Sequence, residues 1–149
     1  MSIKESLYKK CIDYVEKRVR TIQNSVNEIH NSLLSETKSS AGDKHETGRA
    51  MLQLEREKAG KHLDVTQKLE ETLSKIDISI TSKNICLGSV VYTTHRNYFI
   101  SISAGKLTID STDFYAVSPL TPIAQLLLSK QVDDEINFRE KKFTIKEII

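Results

Sequence analysis

The 149-residue chain has no tryptophan, two cysteines, two prolines and five glycines. Cys11 and Cys86 stand far apart with no CxxC partner, so neither a disulfide framework nor a zinc knuckle can be read from them, and a reducing compartment is expected. No apolar run approaches the roughly 18–20 residues of a membrane-spanning helix, and the start, Met1-Ser2-Ile3-Lys4-Glu5, is too charged for a secretory leader. The expectation is a soluble, cytoplasmic protein with no membrane partner. An excess of one charge is also missing, because 22 Lys and Arg against 20 Asp and Glu leave a net +2. That is too little for a protein that holds nucleic acid unaided through many phosphates. Work on nucleic acid would need something else to do the holding.

What is present is unevenly placed. Only Tyr8 and Tyr14 among the aromatics fall in residues 1–80, whereas 81–149 hold all the others together with Pro119 and Pro122. Two domains of different architecture are expected, 1–80 and 81–149, making an α+β chain.

The first reads as helix. Ile3, Leu7, Cys11, Val15, Val19, Ile22, Val26, Ile29 and Leu33 advance in steps of three and four, the spacing of one stripe on a helix face. A second series, Leu52, Ala59, Leu63, Thr66, Leu69, Leu73 and Ile76, repeats the pattern between charged flanks. The two are separated by Glu36-Thr37-Lys38-Ser39-Ser40-Ala41-Gly42-Asp43, built of small and polar turn formers. Neither helix can bury a narrow stripe alone, so an antiparallel two-helix coiled coil is predicted. At about 1.5 Å per residue, helices of roughly 30 residues extend about 45 Å, which puts residues near 39–47 at the tip.

The second domain changes period. Val90-Val91-Tyr92-Thr93-Thr94, Tyr98-Phe99-Ile100-Ser101-Ile102 and Phe143-Thr144-Ile145-Lys146-Glu147-Ile148 are β-branched and aromatic, with partial alternation. They predict a small antiparallel sheet. Thr121 to Leu128 reads as one short helix with Thr121 as N-cap, Pro122 in the first helical position, and Ile123, Leu126 and Leu127 turned inward. A domain of about 70 residues is near the lower limit for a self-sufficient core, so docking on the base of the helices would help it.

The tip carries the one constellation that invites chemistry. In Gly42-Asp43-Lys44-His45-Glu46 two carboxylates stand three residues apart at the start of the second helix, on one face. The same spacing is that of a capping box, in which Asp43 and Glu46 satisfy backbone N–H groups. Both readings stay open. The helix N-terminus favours the ionised carboxylates. Two of them leave most of a divalent ion's coordination shell unfilled, so such a tip could share a metal with another site but not own one. His30, His45, His62 and His95 have no common metal spacing.

With these motifs in place, the sequence resembles the Gre-type transcript-cleavage factors of bacteria. That family joins an N-terminal antiparallel coiled coil to a C-terminal FKBP-like domain and carries Gly-Asp-x-x-Glu at the coiled-coil tip. Gly42, Asp43 and Glu46 match that element. Ser118-Pro119-Leu120-Thr121-Pro122-Ile123-Ala124-Gln125-Leu126-Leu127-Leu128, followed by Lys130 to Glu135, looks like the family's Ser-Pro-Ile-Ala-x-x-Leu-Leu-x-Lys-x-x-Gly-Asp-x-Val segment. Gly88-Ser89-Val90-Val91 resembles the start of its C-terminal domain. Departures are Thr47-Gly48-Arg49-Ala50, where the family usually has Asn-Ala-Glu-Tyr, and Arg139-Glu140-Lys141-Lys142 in place of a Gly-Gly hairpin.

The resemblance implies a monomer that binds bacterial RNA polymerase core, with its C-terminal domain at the rim of the secondary channel and its coiled coil inside. Asp43 and Glu46 would then help hold the polymerase's second catalytic Mg²⁺ and position water, so that the polymerase cuts the 3′ end of backtracked RNA. Ser118, Thr121 and Pro122 would lie in the docking turn. The chain would have no cofactor and no enzymatic activity of its own, and would meet nascent RNA only indirectly. A channel-binding regulator that blocks the active site is the nearest alternative. Other classes are an FKBP-like prolyl isomerase or chaperone, and a self-associating coiled-coil adaptor.

Overall fold

The computed structural model describes the backbone of residues 1–38 and 42–149 and the side chains outside 36–47. In chain order the elements are α1 (Ile3–Lys38), α2 (Gly42–Ser74), β1 (Val90–Thr93), β2 (Asn97–Ile100), β3 (Gly105–Ile109), β4 (Thr112–Val117), α3 (Pro122–Leu127), β5 (Glu135–Phe138) and β6 (Lys141–Ile148). The chain is α+β, a long helical hairpin followed by a six-stranded sheet. It forms two compact units, Val15–Leu69 on one hand and Met1–Tyr14 with Glu70–Ile149 on the other.

In the Val15–Leu69 unit the two helices bury the stripes that the three-and-four spacing predicts. Val15, Ile22 and Leu33 of α1 and Ala59 and Thr66 of α2 are buried, with Val19, Val26, Ile29, Leu52, Leu63 and Leu69 half-buried. Met51, Leu54 and Val65 fall outside the stripe and are exposed. Thr66 can occupy the seam because its hydroxyl donates to the His62 carbonyl within the helix at 2.8 Å, so no polar group is left unmet.

The other unit begins with a reciprocal cap. The Ser2 amide donates to Glu5 Oε2 at 3.2 Å and the Glu5 amide to Ser2 Oγ at 3.1 Å, which is the capping box in full. The last turn of α2 has no basic residue of its own. The start of α1 meets one of its end carbonyls, the Tyr8 hydroxyl donating to Leu73 O at 2.9 Å, and Lys4 Nζ donates to Ile80 O at 2.6 Å in the segment that follows α2. Burial holds the Lys4 ammonium below its ordinary pKa, against the opposing pull of Cys86 and Asp77.

The strand order is β3-β4-β2-β1-β6-β5. The expectation of an antiparallel sheet is corrected here, because β2 and β4 run parallel, with Tyr98 opposite Tyr115 and Ile100 opposite Val117. The cause is which half of the β3–β4 hairpin is apolar. Phe114 and Ala116 of β4 are buried, whereas β3 is mostly exposed. β4 therefore takes the inner place beside β2 and β3 becomes the edge, which turns β4 into the same direction as β2.

Both faces of this sheet are covered. On one, Val91, Tyr98, Ile100, Ile136, Phe143 and Ile145 enclose Ile123, Ala124 and Leu127 of α3. The helix orientation differs from expectation at one position: Leu126 is 39% exposed and Ala124 is fully buried in its stead. Positions 123, 124 and 127 share one side of the helix just as 123, 126 and 127 do, so the choice between the two faces is made by the sheet against which α3 packs. The opposite face carries Val90, Phe99, Phe114 and Ala116, all essentially without exposed surface. There Tyr92 meets Phe114 edge to face, centroids 5.6 Å apart. Cys11 of α1 comes to 3.6 Å from Ser101 on the same unit, both fully buried.

Two left-handed glycines enter this unit under different constraints. Gly105 (φ +77°) has open space where a Cβ would lie, whereas at Gly88 (φ +93°) a Cβ would come within 2.9 Å of Ile76 Cγ2. We expect Gly105→Ala to cost about 1–2 kcal/mol from backbone strain. Gly88→Ala should cost about 1–3 kcal/mol more from overpacking. Urea unfolding of the two variants measures the difference, and equal losses would show that the Ile76 contact yields freely.

Candidate functional site

The residues picked out for docking converge in one turn. β4 ends at Val117, and the chain must reverse before α3. Ser118 and Pro119 start that reversal, since the residue preceding a proline is held out of the helical region. Thr121 then caps α3 at φ −72°, ψ 152°, outside helical geometry, and Pro122 fills the first helical position, where no N–H is required. The Thr121 hydroxyl accepts from the Ala124 amide at 3.4 Å and donates to the Ser118 carbonyl at 2.8 Å. One side chain thus ties the turn to the helix.

Two residues that sequence reasoning missed complete the turn. The Ser118 amide donates to Ser103 Oγ at 3.3 Å, anchoring the turn across 15 positions of chain to the segment after β2. Gln125 Nε2 donates to the Pro119 carbonyl at 2.5 Å, a bond from the exposed side of α3 back over the turn. Ser118 Oγ accepts from the Leu120 amide at 3.1 Å. Nothing in local sequence marks Ser103, because its role depends on strand placement. Gln125 was legible in principle, being one helical turn beyond the cap.

The effect of these bonds is to hold Leu120 in solvent at 87% exposure on a fixed backbone. Leu120 and Pro122 are exposed, while Ser118, Pro119 and Thr121 are half-buried. A large aliphatic side chain held out by a hydrogen-bonded turn is an apolar knob with little backbone entropy left to lose on contact. Chemically the turn can bind a partner. It has no titratable side chain and offers no nucleophile with an adjacent base.

Asp43 and Glu46 are the second and fifth residues of α2, which begins at Gly42. Their side chains lie outside the described residues, as does the remainder of the expected tip at 39–47. Among the described residues no group of three or more His, Cys, Asp and Glu is placed to hold a metal ion. Asp43 and Glu46 by donor chemistry fit only a shared divalent ion, since two carboxylates leave most of its coordination sites to other ligands. His30 and His62 lie exposed on α1 and α2, and His95 lies on the β1–β2 turn. No helix among the described residues is long and apolar enough to cross a membrane.

Replacing Thr121 with valine removes the cap while keeping the shape. Stability should fall by about 0.5–2 kcal/mol, as for other N-cap losses, and amide hydrogen exchange should speed up at Ala124 and Leu120 first. Unchanged exchange there would mean that Ser103 and Gln125 hold the turn without Thr121. In comparisons with known proteins, no family model and no curated sequence matches the chain.

Proposed function

We propose that this protein is a Gre-like elongation factor that binds bacterial RNA polymerase at its secondary channel and stimulates cleavage of backtracked RNA. The observation that carries the reading is the succession of a helical hairpin with Gly42, Asp43 and Glu46 at the head of its second helix, and a sheet unit whose Ser118 to Leu128 segment forms a capped turn and helix. A sheet wound about one helix also supports the finer description of that unit as FKBP-like.

On this reading the two units have separate tasks. The turn that displays Leu120 docks on the polymerase, and Ser118, Thr121 and Pro122 set its shape. Asp43 and Glu46, kept ionised by the positive end of α2, supply oxygen ligands and hydrogen-bond acceptors to the polymerase's weakly held Mg²⁺ and to its waters. That ion, when bound, stabilises the attacking and leaving oxygens of phosphodiester hydrolysis. The chain itself forms and breaks no bond. The net charge of +2 suits a protein whose nucleic acid is held by its partner.

Backtracked elongation complexes, assayed with and without the protein, test the reading. Wild type should shorten the transcript, and Asp43→Ala or Glu46→Ala should still co-migrate with core polymerase yet stimulate cleavage at least about tenfold less, the size expected for losing one charged ligand. Leu120→Glu should fold normally, because the side chain is exposed, and lose co-migration. Wild-type protein that binds polymerase and leaves the RNA uncut would replace this reading with that of a channel-blocking regulator.

A further inference from the structure

The turn between β1 and β2 and the hairpin between β5 and β6 close on a cleft of about 180 Å³ that the polymerase reading does not use. His95, Arg96, Tyr98, Phe138, Arg139 and Lys141 line it. Three basic side chains, Arg96, Arg139 and Lys141, therefore line the cleft with no carboxylate among the lining residues, and none of the three is ion-paired among the described residues. Unpaired cations lining one cleft attract an anion.

The site is built rather than incidental. Thr93, which is buried, donates through its hydroxyl to the Arg96 carbonyl at 2.5 Å and accepts from the His95 amide at 3.0 Å. Thr94 exchanges two hydrogen bonds with Thr144 of β6, so the β1–β2 turn is fastened to the strand that carries Lys141. Arg96 lies over the Tyr115 ring with 4.8 Å to its centroid, and Arg139 over Phe138 at 4.9 Å. Stacking pre-orients both guanidinium groups and leaves their N–H forks free for an anion. Desolvation, with Lys141 and Arg96 alongside, holds the His95 imidazole below its ordinary pKa. It is then mostly neutral at pH 7, and its Nε2 stands 3.5 Å from Lys141 Nζ.

Two further observations point to a ligand. Tyr98 is only 6% exposed, yet its hydroxyl has no hydrogen-bond partner among the described residues, an uncommon state for a buried phenol. Burial pushes its pKa up in spite of Arg96, so it remains a donor. The β5–β6 loop is also an unusual choice of residues. Phe138 pairs with Lys141 across a two-residue connection in which Arg139 and Glu140 both have positive φ, 49° and 66°. Such loops favour Asn-Gly; here the chain accepts the strain and keeps the arginine that lines the cleft.

We propose that this cleft binds a nucleoside polyphosphate, with the phosphates on Arg96, Arg139, Lys141 and the Tyr98 hydroxyl and the flat base against the stacked Arg139–Phe138 pair. Phosphate suits the charge, since one carboxylate would leave most of the positive charge uncompensated, whereas a polyphosphate matches it with many acceptor oxygens. A nucleic-acid strand is disfavoured because on the β5–β6 side of the cleft the neighbouring positive charge is offset by carboxylates. Lys142, next along β6, is paired with Glu135 at 2.9 Å, and Glu140 sits in the same loop.

The test is calorimetric titration of the full chain, free of divalent cations, with ATP, GTP, inorganic tripolyphosphate and adenosine. The triphosphates should bind at one site, tripolyphosphate more weakly, and adenosine not measurably. Arg96→Gln and Lys141→Gln should each weaken ATP by about tenfold or more, the size of a lost charged hydrogen bond. The double variant Arg139→Asn/Glu140→Gly should raise Tm by relieving the loop and still lose nucleotide, an outcome that misfolding cannot imitate. Absence of ATP binding, ATP binding unchanged in Arg96→Gln and Lys141→Gln, or tripolyphosphate equal to ATP overturns the proposal. So does stronger binding of a single-stranded RNA oligonucleotide or a glutamate-rich peptide than of ATP.

Discussion

Leu7 and Cys11 sit on the first turns of α1 and have no exposed surface, although no strand begins for nearly eighty residues after them. Their burial expresses the constraint on which the sheet unit depends. A sheet of short strands around a six-residue helix can enclose only one of its faces with its own chain. Val90, Phe99, Phe114 and Ala116 on the other face would otherwise meet water. The compact unit therefore takes in the start of α1 and the end of α2; within it Tyr8 ties α1 to α2, Lys4 ties α1 to the segment after α2, and Cys11 meets Ser101 just beyond β2.

Coverage of both faces also accounts for the shape of the strand pattern. Val90-Val91 and Tyr98-Phe99-Ile100 are runs rather than alternations because adjacent residues point into two different apolar layers. Once both faces are dry, what remains available for recognition is the rim, where turns end and backbone groups need side-chain partners. The Leu120 turn, fastened by Thr121, Ser103 and Gln125, and the cationic cleft, fastened by Thr93 and Thr94, are both rim structures of this kind. In each a buried or half-buried hydroxyl amino acid fixes a turn so that neighbouring side chains are displayed without further ordering cost.

Much of this architecture was legible in the chain. The stripe from Ile3 to Leu33 predicted which face of α1 is buried, because helix periodicity is a local property and needs no knowledge of the partner. Thr121 and Pro122 announced a helix start for the same reason, as each acts on backbone groups within three residues. The sheet was less legible. β3 is nearly all exposed and β4 mixes Asp113 and Tyr115 with Phe114 and Ala116, so neither has a clean period, and strand direction leaves no trace in periodicity at all. Leu126 and Ala124 exchanged roles because a helix this short is oriented by the sheet beneath it and not by its own apolar count.

The sequence by itself determined the α+β order of elements, the seam of the helical hairpin and the capped turn before α3, all of which rest on interactions between near neighbours in the chain. Only the tertiary structure decided that β4 runs parallel to β2, that Ser103 holds Ser118, and that Arg96, Arg139 and Lys141 share one cleft. Those three cations are spread over more than forty positions, and in sequence they are indistinguishable from any solvated lysine or arginine. Strand pairing brings them together, and the free energy of strand pairing lies in long-range burial, which no local pattern records.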